Sequence, residues 1–258
     1  MAQIIDGKAI AADIRGEVAA EVAALSSAHN VVPGLAVVIV GSRKDSQTYV
    51  SMKRKACAEV GIRSVHVDLP EDISELALVA EVHRLNADPA VHGILVQLPL
   101  PKHINEEKIL SEISIEKDVD GFHPLNIGKL AMKGREPLFV PLSLLLLKAD
   151  ATVSIVHSRT PDPESIVREA DIVIAAAGQA MMIKGDWIKP GAAVIDVGTN
   201  SVDDPTRKSG YRLVGDVDFA EVSKVAGYLT PVPGGVGPMT VAMLLKNTVD
   251  GAKRGIVE

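Results

Sequence analysis

LAVVIVG, residues 35–41, is a continuous run of apolar, mostly β-branched residues that ends in glycine. Such a run is typical of a strand that is covered on both faces, as in a parallel sheet between two layers of helices. The segments that follow alternate in type and favour an open parallel sheet, whose ligands bind at the carboxyl ends of the strands. They are QTYVSMKRKACAEV (47–60, helix), SVHVDL (64–69, strand), SELALVAEVHRLN (74–86, helix) and GILVQLPLP (93–101, strand).

Short polar residues and glycines mark the expected ends of the first helices. Asp6 predicts the N-cap of a helix that runs to about Leu25. Asp45 and Ser46 are candidate N-caps for the second helix, and Gly61 is placed to end it.

The second half of the chain repeats the alternation and predicts a second doubly wound domain. DPESIVREA (162–170) is expected to be helical, and the final stretch from Gly237 to Gly255 opens with Pro238 and Thr240 as helix-starting residues. The expected strands are ATVSIV (151–156), DIVIAAAG (171–178), AAVIDVG (192–198), RLVGDV (212–217) and YLTPVP (228–233).

Composition narrows the classes of function. The 258 residues include 27 Lys and Arg against 33 Asp and Glu, and the resulting net charge of −6 argues against a nucleic-acid partner. The one cysteine, Cys57, has no companion at metal-ligand spacing, so we expect no disulfide and no metal site. No apolar run approaches the ~20 residues of a membrane span. We therefore expect a soluble cytoplasmic protein that acts on small molecules.

Three polar residues of the first half are candidates for chemistry. Tyr49 and Lys53 are four apart and share a helix face, where a lysine near apolar surface can act as an acid or base, or the face is simply solvated. Gln97 ends an apolar strand and either bonds structurally or contacts a ligand or Lys53. Asp120 precedes a glycine, as in an ordinary Asx-turn.

Glycines and polar residues of the second half predict ligand contacts. TPVPGGVGPMT (230–240) is a stiff loop before a helix N-terminus, where exposed N–H groups can meet a flat or anionic ligand. HSRT (157–160) follows a predicted strand, where Ser158 and Arg159 suit the 2′-phosphate of a dinucleotide. Two further pairs end the next strands and would face the nicotinamide: Ala177 with Gly178, and Gly198 with Thr199.

Seven segments of this chain, in order, resemble one family closely, the bifunctional methylenetetrahydrofolate dehydrogenase/cyclohydrolases. VQLPLP, DVDGFHP and PVPGGVGPMT are specific as a set, and the resemblance covers almost the whole chain. The segments are YVSMK (49–53), VQLPLP (96–101), KDVDGFHP (117–124), HSRT (157–160), AAAG (175–178), DVGTN (196–200) and TPVPGGVGPMT (230–240).

The resemblance implies two α/β domains with an active-site cleft between them. One is a folate-binding catalytic domain (1–141 and 239–258), and the other is a Rossmann-like NADP domain with a parallel sheet (142–238). The family oxidises 5,10-methylenetetrahydrofolate with NADP to the 5,10-methenyl cation and hydrolyses this cation to 10-formyltetrahydrofolate. A homodimer is also implied.

The resemblance further implies a role for each candidate residue. Lys53 would be the acid/base, Gln97 would hold it, Tyr49 would pack against the folate, and Asp120 would bind the amino-pyrimidine edge of the pterin with two carboxylate oxygens. Further substrate contacts would be Val96, Leu98, Pro233, Gly234, Gly235, Val236 and Gly237. The cofactor contacts would be Ser158, Arg159, Ala177, Gly178, Gly198, Thr199 and Thr240.

One departure from the family stands between Pro141 and Leu142. The family has a linking helix, a strand and a glycine loop there that binds the cofactor phosphates, and about thirty residues, roughly one strand and helix, are missing here. Because this loss would expose the apolar flank of ATVSIV, we favour a sequence with residues omitted at this junction over a genuine deletion.

The sequence also allows other functions. A genuine deletion would favour a cyclohydrolase or a folate-binding protein that no longer holds NADP. Spacing alone allows a dinucleotide dehydrogenase for another small metabolite, and a non-enzymatic interaction protein is the remaining alternative.

Overall fold

The computed structural model describes residues 1–123, 126, 142–207 and 210–257. The chain forms two compact units, each built from two pieces of sequence. One unit contains residues 14–153 and 241–258 and is called the N-terminal unit here, and the other contains residues 1–13 and 154–240 and is called the dinucleotide unit. The predicted two-domain α/β fold with parallel sheets is confirmed.

The sheet of the N-terminal unit has three parallel strands in the order β3-β2-β4. Strand β2 spans Gly34–Val40, β3 spans Arg63–Leu69 and β4 spans Gly93–Val96. Every residue of β2 and β4 is buried. The apolar run that begins at Leu35 is therefore the central strand of a parallel sheet, as its composition predicts.

The two faces of β2 enter separate hydrophobic cores. Leu35, Val37 and Ile39 pack with helices α1 (Gly7–His29), α2 (Lys44–Val60) and α8 (Val236–Val257). The alternate residues of β2, Ala36, Val38 and Val40, pack with α3 (Glu75–Ala87) and α4 (Glu106–Ser111). This alternation explains why the strand carries no polar residue.

Two of the three helix-end predictions are confirmed. The carboxylate of Asp6 accepts hydrogen bonds from the N–H groups of Lys8 and Ala9 at the start of α1. Gly61 ends α2 with a φ of 80°, in the left-handed region that favours glycine. The prediction for Asp45 and Ser46 was wrong, because α2 begins at Lys44 and both residues lie inside its first turn.

The dinucleotide unit has a parallel sheet in the order β1-β9-β6-β5. Strand β1 (Gln3–Ile4) was not expected, and it pairs with β9 (Tyr228–Leu229). Strands β6 (Ala193–Asp196) and β5 (Ile172–Ala175) continue the sheet from β9. Helix α6 (Pro163–Glu169) precedes β5, a single 3-10 turn spans Gly185–Trp187, and α7 covers Phe219–Val222.

The predicted strand RLVGDV has a different partner from the one expected. Its first residues belong to β8 (Tyr211–Val214), which pairs antiparallel with β7 (Asn200–Asp203) in a separate two-stranded sheet. The prediction that it continues the parallel series was therefore wrong. Alternating apolar residues identify a strand, whereas the direction of pairing depends on distant backbone.

ATVSIV was predicted as a strand and forms none in the structure. Residues 151–157 have no regular secondary structure, and Ile155 is 72% exposed. Strand β5 is the outermost strand of its sheet, and Ile172 at its start is 52% exposed. A segment with strand propensity stays unpaired when the backbone that would lie beside it is missing.

The junction that follows Pro141 falls outside the described residues, as does Pro124 of the KDVDGFHP segment. The chain is numbered continuously from Met1 to Glu258, and Leu142 begins helix α5 (Leu142–Lys148) directly after the junction. Within residues 142–207, the structure describes no strand that leads through a glycine loop into a helix, as the family has after the junction.

None of the helices within the described residues is long and apolar enough to cross a membrane. In the same part of the chain, no group of three or more His, Cys, Asp or Glu residues is placed to hold a metal ion. Cys57 is fully buried, and burial raises the pKa of its thiol to about 12, so the thiol stays protonated and unreactive at neutral pH.

The close approach of β4 to its neighbours gives a test of the fold. A Cβ atom on Gly93 would lie 2.5 Å from Cγ1 of Val119 and 3.1 Å from Oγ1 of Thr248. We expect Gly93→Ala to lower the free energy of unfolding by about 1–3 kcal/mol, because neither β-branched neighbour can move easily. Denaturant unfolding followed by circular dichroism measures this change.

Gly16 provides the matched control. It lies on the exposed face of α1, where an added Cβ meets nothing within 4 Å. Gly16→Ala should raise stability by up to about 1 kcal/mol, since alanine favours the helix. Equal effects of the two substitutions would contradict the packing described for Gly93.

Candidate active site

The first part of the site forms where the parallel strands of the N-terminal unit end. Gln97 follows β4 directly, and its N–H group donates to the carbonyl of Val38 on β2 over 2.8 Å. This bond extends the ladder by one residue, so the backbone of Gln97 is fixed while its side chain projects beyond the sheet.

Lys53 of α2 binds this carboxamide. Its Nζ donates to Oε1 of Gln97 over 3.0 Å, and Nε2 of Gln97 donates to the carbonyl of Leu98 over 2.9 Å. Because both ends of the amide are engaged, its oxygen is directed at the lysine. Burial lowers the pKa of Lys53, and the negative charge of Asp120 raises it by a smaller amount. Burial thus favours the neutral amine, the form that can accept a proton.

Asp120 lies on the loop that follows α4. This loop runs beside β4, because the N–H of Ile94 donates to the carbonyl of Lys117 over 2.7 Å and Ile94 pairs with Asp118. Desolvation raises the pKa of Asp120 to about 6, against the lowering effect of Lys53. The carboxyl group and the amine are electrostatically coupled, so each depends on the charge of the other.

The loop that carries Asp120 is held by a different aspartate, whose side chain accepts an N–H group three residues further along the chain. Oδ1 of Asp118 accepts the N–H of Gly121 over 3.0 Å, and Asp118 is 3% exposed. The sequence did not identify Asp118, although an aspartate two residues before an Asp-Gly pair was a usable signal.

The remaining candidates of this unit differ in exposure. Tyr49 is 52% exposed, one turn before Lys53, and offers its ring to solvent. Val96 is 3% exposed and belongs to the core, whereas Leu98 is half-buried. The solvated-face alternative describes Lys55, which is exposed, and not Lys53.

The loop TPVPGGVGPMT joins β9 to α8. Gly234 has a φ of 114°, and a Cβ on Gly235 would lie 2.7 Å from the carbonyl oxygen of Pro231. Pro233, Gly237 and Thr240 are exposed, and the hydroxyl of Thr240 donates to the carbonyl of Gly237 over 2.8 Å. The glycines are therefore required by the tight backbone, while the exposed surface is free to meet a ligand.

Two buried carboxylates fix the loops that were predicted to face nicotinamide. Asp216 is completely buried and accepts the N–H groups of Ala177, Gly178 and Gln179 over 2.6, 2.9 and 2.9 Å. Asp196 accepts the N–H of Gly198 over 3.0 Å. The sequence did not identify either aspartate, because most of their donors are distant in the chain: Asp216 binds the loop after β5, and Asp196 also accepts the N–H groups of Asp216 and Val217.

These contacts decide what the loops can offer a cofactor. Ala177, Gly178 and Thr199 are exposed, and the N–H groups of the first two are already bound to Asp216. Carbonyl oxygens and small side chains remain available, which suits the N–H₂ group and flat ring of a nicotinamide. The residues that were predicted to face the nicotinamide therefore fit the cofactor.

The residues that were predicted to face the phosphate groups of the cofactor fit it less well. Ser158 and Arg159 are exposed in a turn held by the N–H of His157, which donates to Oγ1 of Thr160 over 3.0 Å, so both side chains can meet a 2′-phosphate. The N-terminus of α6 is occupied by the carboxylate of Asp162, its N-cap. Within residues 142–207 no glycine-rich turn joins a strand to a helix, so these residues supply no cradle for the pyrophosphate.

The structure thus brings Lys53, Gln97 and Asp120 together at one end of the N-terminal unit. The dinucleotide unit carries the segment from Pro233 to Gly237 and all the cofactor candidates, of which Thr240 lies in the first turns of α8. The role of each residue toward substrate and cofactor stays a prediction.

Comparison with known proteins assigns a family to both halves of the chain. Residues 5–120 match the tetrahydrofolate dehydrogenase/cyclohydrolase catalytic domain, and residues 114–256 match the NAD(P)-binding domain of the same enzymes. Bifunctional protein FolD 2 of Arabidopsis thaliana is 70% identical, with 98% of this chain and 96% of the relative covered. Bifunctional protein FolD of Brucella anthropi is 49% identical, with 98% and 97% covered.

Solved structures agree with these sequence relatives. The methylenetetrahydrofolate dehydrogenase-cyclohydrolase of Trypanosoma brucei, in complex with NADP and an inhibitor, has a TM-score of 0.94 at 46% identity and covers 100% of this chain and 99% of its own. The bifunctional enzyme of Campylobacter jejuni has a TM-score of 0.92 at 42% identity, with 98% and 99% covered.

The alignment with the first Arabidopsis relative is 287 residues long, longer than the 258 residues of this chain, so at least 29 aligned positions have no counterpart here. This matches the strand and loop that the family has after Pro141. With both domain matches and a relative at 70% identity, this chain belongs to the bifunctional tetrahydrofolate dehydrogenase/cyclohydrolase family.

Proposed function

We propose that this chain performs the two reactions of its family in folate one-carbon metabolism. The enzyme is an NADP-dependent methylenetetrahydrofolate dehydrogenase and a methenyltetrahydrofolate cyclohydrolase. The observation that supports the second activity most directly is the desolvated amine of Lys53, held 3.0 Å from Gln97 beside the carboxyl group of Asp120.

The hydrolysis uses Lys53 as a proton carrier. The oxygen of a water molecule bonds to the methenyl carbon while the neutral amine of Lys53 accepts a proton from it. The bond between this carbon and N5 of the pterin then breaks as N5 receives a proton from the ammonium group, and the remaining hydroxyl proton is released to solvent as the formyl C=O double bond forms. Gln97 accepts a hydrogen bond from the amine in both charge states and so keeps Nζ in place between the two transfers.

Substrate placement is the task of the surrounding residues. The Asp120 carboxylate accepts two N–H donors from the amino-pyrimidine edge of the pterin. Tyr49 packs its exposed ring against the folate, with Val96 and Leu98 forming the floor beside Gln97. The backbone from Pro233 to Gly237 is the remaining candidate for contact with the substrate.

In the oxidation step NADP, when bound, supplies the hydride acceptor. Ala177, Gly178, Gly198 and Thr199 would hold its nicotinamide end, together with Thr240 near the start of α8. Ser158 and Arg159 would hold the 2′-phosphate. Their contribution is placement, because the reacting substrate carbon needs no basic side chain to release hydride.

We further propose that the enzyme acts as a cytoplasmic homodimer, without nucleic-acid or membrane partners. The acidic net charge of −6 disfavours binding to nucleic acid, and the buried, unreactive thiol of Cys57 is compatible with a reducing compartment. The resemblance to the family supports the dimer, and sedimentation of the purified chain measures it.

A cyclohydrolase that no longer holds NADP is the second candidate function. Two observations favour it: residues 151–157 form no strand, and β5 is left at the edge of its sheet. Both follow from the absence of the strand and glycine loop that bind pyrophosphate in the family.

The first prediction for this function concerns Lys53. We expect Lys53→Met to lower the cyclohydrolase kcat by about 10²-fold or more, since the variant keeps the size of the side chain and removes its proton-carrying amine. Lys55→Met, on the exposed face of the same helix, is the control and should leave kcat unchanged. Equal activity of the two variants would remove Lys53 from the reaction.

The lowered pKa of Lys53 gives a second prediction. An amine-selective acylating reagent modifies only the neutral amine, so Lys53 should react at a lower pH than the exposed Lys55. Asp120→Asn removes the charge that favours the ammonium form and should shift the reaction of Lys53 to still lower pH. Peptide mass spectrometry at a series of pH values measures both effects, and an upward shift in the variant would contradict the coupling.

The two candidate functions differ in one measurement on the purified 258-residue chain. If the chain is bifunctional, it forms NADPH from 5,10-methylenetetrahydrofolate, and calorimetry detects NADP binding. If only the second candidate is correct, the methenyl substrate is hydrolysed while neither NADPH formation nor NADP binding is detected.

A further inference from the structure

The buried carboxylate of Asp118 binds three donors that follow it in the chain. Its Oδ1 accepts the N–H of Gly121 over 3.0 Å. Its Oδ2 accepts the N–H of His123 over 3.0 Å and the Nδ2 of Asn126 over 2.8 Å. Asp118 is 3% exposed and Asn126 is fully buried, so these bonds are shielded from water.

The backbone around Asp118 is anchored on the side of the sheet as well. Asp118 forms a parallel bridge with Ile94 of β4, and its N–H donates to the carbonyl of Ser114 over 3.0 Å. The next residue, Val119, is 3% exposed, and Nδ2 of Asn247 on α8 donates to its carbonyl over 3.4 Å. The loop is therefore fixed on both sides of Asp120.

Asp120 itself sits at the turn of this loop. Gly121 has a φ of 72°, a conformation that reverses the backbone directly after Asp120. The N–H of Gly121, bound by Asp118, sets the angle at which the Asp120 carboxyl group leaves the loop. A rotation of this peptide would move the carboxyl group away from Lys53.

We propose that Asp118 is the positioning residue of the pterin site, which holds the carboxyl group of Asp120 toward the substrate and Lys53 by binding the N–H groups of Gly121 and His123 and the side chain of Asn126. This inference rests on the proposed function of Asp120. The negative charge of Asp118 also raises the pKa of Asp120, an effect that adds to desolvation. Asp118 touches neither substrate nor reacting atoms and acts through Asp120.

A double-mutant cycle tests the inference. Asp118→Asn keeps the size of the side chain but turns a donor toward the N–H of His123 or Gly121, so the clamp loosens. We expect kcat/KM for 5,10-methenyltetrahydrofolate to fall on the order of tenfold or more, mainly through KM. Asp120→Asn should lower kcat/KM as well. The double variant should have a kcat/KM no lower than that of Asp120→Asn alone, since Asp118 acts only by placing the carboxyl group that this variant already lacks.

Asp88→Asn is the matched control. Oδ1 of Asp88 accepts the N–H of Ala90 over 2.8 Å in a turn of the same unit that carries no candidate site residue. It should leave kcat/KM unchanged. Unfolding curves for all variants measure loss of stability separately, and if Asp118→Asn does not fold, Asn126→Ala replaces it in the cycle, because it removes only the 2.8 Å bond.

The outcomes are distinct. Full additivity of the two losses, or an unchanged KM in a folded Asp118→Asn variant, would overturn the positioning role while leaving the proposed function intact. A normal kcat/KM in Asp120→Asn would overturn the role of Asp120 and the inference with it. A loss in Asp118→Asn that disappears in the Asp120→Asn background supports the inference.

Discussion

The hydrogen bond between Lys53 and Gln97 is the contact on which the candidate site depends. It joins a helix to the end of a strand, and it exists because the backbone of Gln97 is already bound to Val38 on the neighbouring strand. The central strand β2 supports both partners, since one of its faces packs against α2 and its edge pairs with β4. Burial of both faces of β2 thus fixes the distance between the two side chains.

In both units, buried aspartates hold the backbone of the loops that carry the candidate site residues. Asp118 closes the loop of Asp120, and Asp216 and Asp196 bind the N–H groups of the loops after β5 and β6. A carboxylate that accepts several N–H donors is stable in a buried position. Because these donors are consumed internally, the loops offer carbonyl oxygens and small side chains to a ligand.

Prediction from sequence was reliable where the signal was local. Local signals located the ends of α1 and α2 at Asp6 and Gly61, and the apolar run of β2 predicted its burial. Prediction was wrong for ATVSIV and for the pairing of β8, since strand formation needs a partner that a local pattern does not reveal. Asp196 and Asp216 were missed for a related reason, because most of their donors lie on segments distant in the chain. The donors of Asp118, in contrast, follow it within its own loop.

The sequence by itself determined the α/β class, the family and the identity of the residues that carry the proposed chemistry, because strand composition, glycine positions and short motifs are local properties. Only the tertiary structure decided which of two aspartates, Asp118 or Asp120, forms the turn and which is left to act beside Lys53. It also decided that residues 151–157 stay outside the sheet. The first outcome depends on how the loop after Asp118 folds back onto its carboxylate, and the second depends on strand partners from distant parts of the chain, neither of which a local pattern of residues specifies.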